Sequence, residues 1–153
     1  MGTSLPAAVE FRLPAGWAPG PEQDAGTFVA LHAASAESGF PANITVDTGI
    51  RPNLATLAEI AAESVAALRE RSPDLTVTSR GAPADPGLAQ DLRLTVWLNG
   101  RLWEVIQSQV YLAATGSGEQ TVLRAVLTST VDQFARVHED FVEFLSTLRF
   151  ASD

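Results

Sequence analysis

The chain is 153 residues long and carries a net charge of −8, with eighteen acids against ten bases, all of them arginine. Its length predicts one domain, residues 1–153, burying roughly 68–70% of its unfolded surface, and its charge opposes nucleic acid and anionic membrane surfaces. Having no cysteine excludes disulfides, thiol catalysis, lipobox acylation and Cys-based metal sites, and no apolar run reaches the roughly 18 residues of a membrane span.

The start of the chain has neither a basic n-region nor a continuous apolar core, so as written it reads as cytoplasmic, with no membrane insertion. Val9–Leu13 alternates and runs into Pro14-Ala15-Gly16-Trp17, which predicts a first strand ending in a turn. Ala18–Gly26 reads as loop from its Pro and Gly content. Thr27–Ala33 and Ala42–Thr48 are the second and third strands, separated by the small, flexible segment ASAESGFP. Thr56-Leu57-Ala58-Glu59 fits a capping box and opens a helix. Its apolar positions, Leu57, Ile60, Ala61, Val65 and Leu68, recur at helical spacing until Ser72-Pro73 stops it. Leu75–Ser79 is a fourth strand, followed by the loop Gly81–Gly87.

The clearest local signal comes next. Gln90–Leu98 and Arg101–Leu112 are apolar strands joined by Asn99-Gly100, the dipeptide that best tolerates the positive φ of a type I′ turn. A two-residue turn predicts Leu98 opposite Arg101, Val96 opposite Trp103 and Leu94 opposite Val105. One face then reads Leu92, Leu94, Val96, Leu98, Trp103 and Val105, which demands a cover and puts the hairpin near the centre of a sheet. Further along, Gln107, Gln109 and Tyr111 occupy that phase while Ile106, Val110 and Leu112 occupy the other. Either a bulge shifts the phase near Gln107-Ser108, or both faces of the sheet are covered. Gln120–Ser129 is the last strand. Thr130-Val131-Asp132-Gln133 caps a second helix, whose stripe is Phe134, Val137, Phe141, Phe144, Leu145 and Leu148. The order β-β-β-α-β-β-β-β-α predicts an α+β fold: an antiparallel sheet of six to seven strands with two main helices packed across it.

Several motifs come in a familiar order: LPAGW at Leu13–Trp17, NITV at Asn43–Val46, the helix TLAEIAAESVAAL and the hairpin leading into VYL at Val110–Leu112. Thr130–Phe150 then closes with T-x-x-QF-x(6)-F-x(2)-FL-x(2)-LRF. Over about residues 7–150 the chain resembles the PsbP-like proteins. Within them it looks most like the actinobacterial LpqN type, with DcrB-like proteins and the Ran-binding Mog protein of yeast as more distant relatives. The resemblance implies an antiparallel sheet crossed by helices and a non-enzymatic scaffold for protein contacts. Unlike the LpqN-type lipoproteins, this sequence has no lipobox cysteine.

Chemistry is sparse. The two histidines, His32 and His138, read as edge-of-core imidazoles, and His138, Glu139 and Asp140 point three ways from one helix, so no metal site is expected. Glu104 lies two residues off register from Arg93 on one hairpin face, where a diagonal ion pair explains it. The GSG of residues 116–118 reads as a tight turn, and no phosphate-binding loop occurs. No catalytic residue and no cofactor is expected. Trp17 could serve as an interface hot spot, but after Pro-Ala-Gly it reads as a plug at the end of the core. What remains is the other hairpin face, with Trp97 opposite Leu102: either a helix covers it, or Trp97, Leu102, Arg93 and Arg101 form a surface for an unknown protein partner. A small-molecule or lipid carrier with a cavity between sheet and helix is the alternative. The sequence sets no oligomeric state.

Overall fold

In the computed structural model, residues 9–20, 27–81 and 87–150 are described. The elements are β1 (Val9–Glu10), β2 (Trp17–Pro19), β3 (Thr27–His32), a 3-10 helix (Ala33–Ser38), β4 (Asn43–Pro52) and α1 (Leu57–Arg71). They continue with β5 (Thr76–Gly81), β6 (Gly87–Leu98), β7 (Arg101–Thr115), β8 (Glu119–Thr130), α2 (Val131–Thr147) and β9 (Arg149–Phe150). Seven strands form one antiparallel sheet in the order β2-β3-β4-β8-β7-β6-β5, and β1 pairs with β9 in a separate ribbon.

The β6–β7 register is the one the turn dictates: Leu98 opposite Arg101, Val96 opposite Trp103, Leu94 opposite Val105. Asn99 and Gly100 take φ of 56° and 73°, the left-handed values that such a turn needs. The hairpin is off-centre, however. β8 is the middle strand, because the long β4–β8 pairing brings the N-terminal strands to its far side.

Two faces, not a bulge, explain the phase change along β7. Its pairing with both neighbours is unbroken. Even-numbered residues of β6 and odd-numbered residues of β7 point to α1, where Leu92, Leu94 and Val105 pack with Phe40, Val65 and Leu75, and Tyr111 packs with Ile60 and Ala61. On the opposite face Val110, Ile44, Val46, Leu123 and Leu127 pack with Val137, Phe141 and Phe144 of α2. The glutamines beneath α1 satisfy one another. Gln90 Nε2 donates to Gln109 Oε1 at 2.8 Å and to the Ala61 carbonyl at 3.2 Å, the Tyr111 hydroxyl donates to the same Gln109 oxygen at 2.8 Å, and Gln109 Nε2 donates to Gln107 Oε1 at 3.0 Å. Buried amides are tolerated there because each is hydrogen-bonded.

Both capping boxes form, Thr56 with Glu59 and Thr130 with Gln133. Other boundaries depart from expectation. Trp17–Pro19, read as turn and loop, is the edge strand β2, where the N–H that Pro19 lacks costs no central ladder bond. The first strand is only Val9–Glu10 and pairs with β9, a strand that has no periodicity of its own. ASAESGFP contributes to a 3-10 helix that Gly39 ends at φ 95°. Gly81 and Gly87, the ends of the loop expected at Gly81–Gly87, belong to strands, and residues 82–86 lie outside the described ones. The ladder is irregular between Val77 and Ser79 of β5.

Candidate functional site

β7 loses β8 at the pair Val105–Thr130, where the chain turns into α2, and β6 meets β5 only from Arg93 inward. The hairpin beyond those points is therefore an overhang whose strands pair only with each other. On its α2 side Trp97 is 72% exposed and Leu102, directly opposite, 51% exposed. Among the described residues no helix buries them: α2 packs on β8 and β7 and runs away from this end. Arg93 and Glu104 make the diagonal ion pair at 3.6 Å beside them, with both side chains largely exposed.

The α1 side of the overhang is a support. Trp103 packs against Phe40 with ring centroids 5.6 Å apart and donates its Nε1–H to the Leu98 carbonyl at 3.1 Å. Asn99 Nδ2 donates to the Gly39 carbonyl at 3.1 Å. The guanidinium of Arg101 lies 4.0 Å over the Trp103 ring. Of the four residues singled out from sequence, the structure thus gathers Arg93, Trp97 and Leu102 on one face and puts Arg101 on the other. Strand alternation forces this, because Arg101 and Leu102 are consecutive.

Trp17 is buried, lies tilted against His32 with ring centroids 5.0 Å apart, and donates its Nε1–H to Asp140 Oδ2 at 2.8 Å. It plugs the core, as its setting predicts. His32 is buried and its Nδ1 has no hydrogen-bond partner among the described residues, and His138 lies beside Phe134 with centroids 4.9 Å apart. Gly118, at φ 77°, makes the tight turn before β8. Among the described residues no three His, Asp or Glu side chains converge on a metal position, and no helix is long and apolar enough to cross a membrane.

Two other ion pairs border the edge of α1. Arg124 Nη2 lies 2.8 Å from Asp47 Oδ2 and Arg51 Nη2 3.0 Å from Glu63 Oε2. Burial pulls the Arg124 pKa down, but the charge and hydrogen bond of Asp47, helped by Tyr111, outweigh it and hold the guanidinium above its ordinary value. The hydrogen bond that Arg51 donates to the Glu63 carboxylate does the same for Arg51. Both cations stay protonated across any physiological pH, so these pairs fasten the sheet without offering a proton.

Sequence reasoning allowed a cavity between sheet and helix but named no lining for it. A groove of about 400 Å³ runs between α2 and the β5–β6 edge, walled by Asp91, Ser108, Ser79, His138, Phe141 and Leu145. Alternation puts Asp91 and Ser108 on one face and was readable; the register that adds Ser79 was not.

No family model matches the chain, and neither does any curated protein sequence. Solved structures do. LpqN of Mycobacterium tuberculosis, involved in cell envelope biogenesis, superposes with a TM-score of 0.66 at 15% identity, covering 96% of this chain and 86% of that one. The Ran-binding protein Mog1p of Saccharomyces cerevisiae gives 0.65 at 14% identity, with 94% and 90% covered. Cyanobacterial PsbP from Synechocystis gives 0.56 at 15% identity, with 99% and 97% covered. The sheet order, the helix on each face and these superpositions together establish that the chain has the PsbP/Mog1-like fold.

Proposed function

We propose that this chain is a non-enzymatic protein-interaction domain that recognises its partner through the α2 side of the β6–β7 overhang. The observation that carries the reading is Trp97, 72% exposed and opposed by the half-exposed Leu102 on a hairpin end with no neighbouring strand. Tryptophan and arginine dominate interface energetics, and an aromatic anchor held on a rigid β-hairpin loses little conformational entropy on docking. Arg93 and Glu104 border the anchor with a polar rim that separates water from it once a partner is bound. That Mog1p, with the same fold, is a Ran-binding protein supports the use of this architecture for protein contacts.

The separation of faces sharpens the test. Partners are captured from the native organism with the wild-type protein, with Trp97→Ala and with Arg101→Glu, after circular dichroism confirms that each is folded. Loss of a partner with Trp97→Ala and its retention with Arg101→Glu is the expected pattern. Equal recovery by all three removes this surface from consideration, and turnover of a substrate in an unbiased metabolite screen overturns the non-enzymatic reading.

A further inference from the structure

Asp91 is a half-buried carboxylate that forms no ion pair among the described residues. It faces the α2 side of β6, where Ser108 Oγ donates to its Oδ1 at 2.7 Å and Ser79 Oγ to its Oδ2 at 3.3 Å. None of the four ion pairs among the described residues includes it, although all ten arginines of the chain are among those residues. Two hydroxyls orient the carboxylate and offset part of its desolvation, but they leave its charge in place.

The β5 irregularity produces this state. Val77 pairs with Leu92 and Ser79 with Asp91, so Thr78 is the extra residue of a bulge. An unbroken ladder would set Thr78 opposite Asp91 and Arg80 opposite Ala89, on the face of Asp91 and one diagonal step away. The bulge reverses the alternation beyond it. Arg80 instead stands opposite Gln90 and points to the α1 side, where its Nε and Nη2 donate to Gln90 Oε1 at 3.1 and 2.7 Å. One extra residue thus sets Ser79 in place of Thr78 opposite Asp91 and takes Arg80 off the Asp91 face.

Asp91 lines the groove of about 400 Å³ beneath α2, whose remaining wall includes Phe141, Leu145 and Val110. Small-molecule sites span about 300–1,000 Å³ and combine an apolar lining with a few placed polar groups. We propose that this groove binds a small organic ammonium ion, with Asp91 as counter-ion and the Phe141–Leu145 wall against its apolar body. The net charge of −8 draws cations toward the molecule. Asp91 lies six residues from Trp97 along β6, about 20 Å at the strand rise, so the proposal does not rest on the hairpin reading.

The test titrates the intact, isotope-labelled protein with phenethylammonium chloride and, at equal ionic strength, with sodium 3-phenylpropionate, a probe of similar shape and opposite charge. The expected result is saturable shifts of the Asp91, Ser108 and His138 amide signals with the ammonium probe alone, and affinity at least about tenfold weaker in Asp91→Asn. Absence of shifts, equal shifts with the carboxylate probe, or undiminished affinity in folded Asp91→Asn overturns it. Should Asp91→Asn fail to fold, the comparison of the two probes on the unaltered protein still decides the matter.

Discussion

The chain's three tryptophans show how position decides what a residue does. Trp17 is buried with its indole N–H on Asp140, Trp103 braces the hairpin against Phe40, and Trp97 lies in solvent. Trp97→Ala is therefore expected to leave thermal stability within about 0.5 kcal/mol of wild type, which a melt checks and which keeps its effect on partner capture interpretable. Gly100 is the opposite case. It holds φ at 73°, and a Cβ built there would meet nothing within 4 Å, so Gly100→Ala strains the backbone alone. The expected cost is about 1–2 kcal/mol by denaturant titration. Asn99-Gly100 was legible in the sequence because the turn is a local matter of two φ angles. Asp91 was not, because its isolation depends on where Arg80 points.

At the scale of elements, the helices are the most self-contained parts. In each, the capping threonine and its partner three residues later satisfy orphan N–H groups at the helix start. Thr56→Ala is expected to destabilise by about 1 kcal/mol. The hydrogen bond from the Thr56 backbone, then that from its side chain, hold the Glu59 carboxyl below its ordinary value. A carboxylate whose folded pKa lies below its unfolded one stabilises fully above the unfolded value of about 4.3, and that contribution is lost as pH falls through the folded value. Acidification below about pH 4 should thus lower amide protection in the first turn of α1, and Glu59→Gln should flatten that dependence as followed by hydrogen exchange. Strands were less self-contained. β2 and β9 exist only because β3 and β1 offer edges, and neither Trp17–Pro19 nor Arg149–Phe150 is long enough to show a period.

Across the whole molecule, the sheet is covered on both faces, and this organises everything else. β8 is buried along nearly its full length, between β4 and β7 and beneath α2. Phe141 is among the largest fully buried side chains on that face. Truncation to alanine is expected to cost about 3–5 kcal/mol and to lower Tm by roughly 6–20 °C; an unchanged melt would mean that the aromatic stripe does not hold α2 to the sheet. The same coverage explains the open end of the hairpin. α2 begins where β8 ends, so it runs back over the sheet and leaves the α2 face of the hairpin beyond Val105 bare.

By itself the sequence determined what rests on neighbours along the chain: the type I′ turn and the register it imposes, both capping boxes, the helical stripes, and the α+β order with its PsbP-like succession of motifs. Tertiary structure decided what depends on partners distant in sequence. It made β8 rather than the hairpin the centre, it covered the polar-looking phase of β7 with α1, and it turned Arg101 away from Trp97 and Arg80 away from Asp91. The reason is the period of two in a strand. Alternation assigns each residue to one of two faces, but only the packed molecule decides which face is buried, how far the cover reaches, and where an extra residue reverses the count.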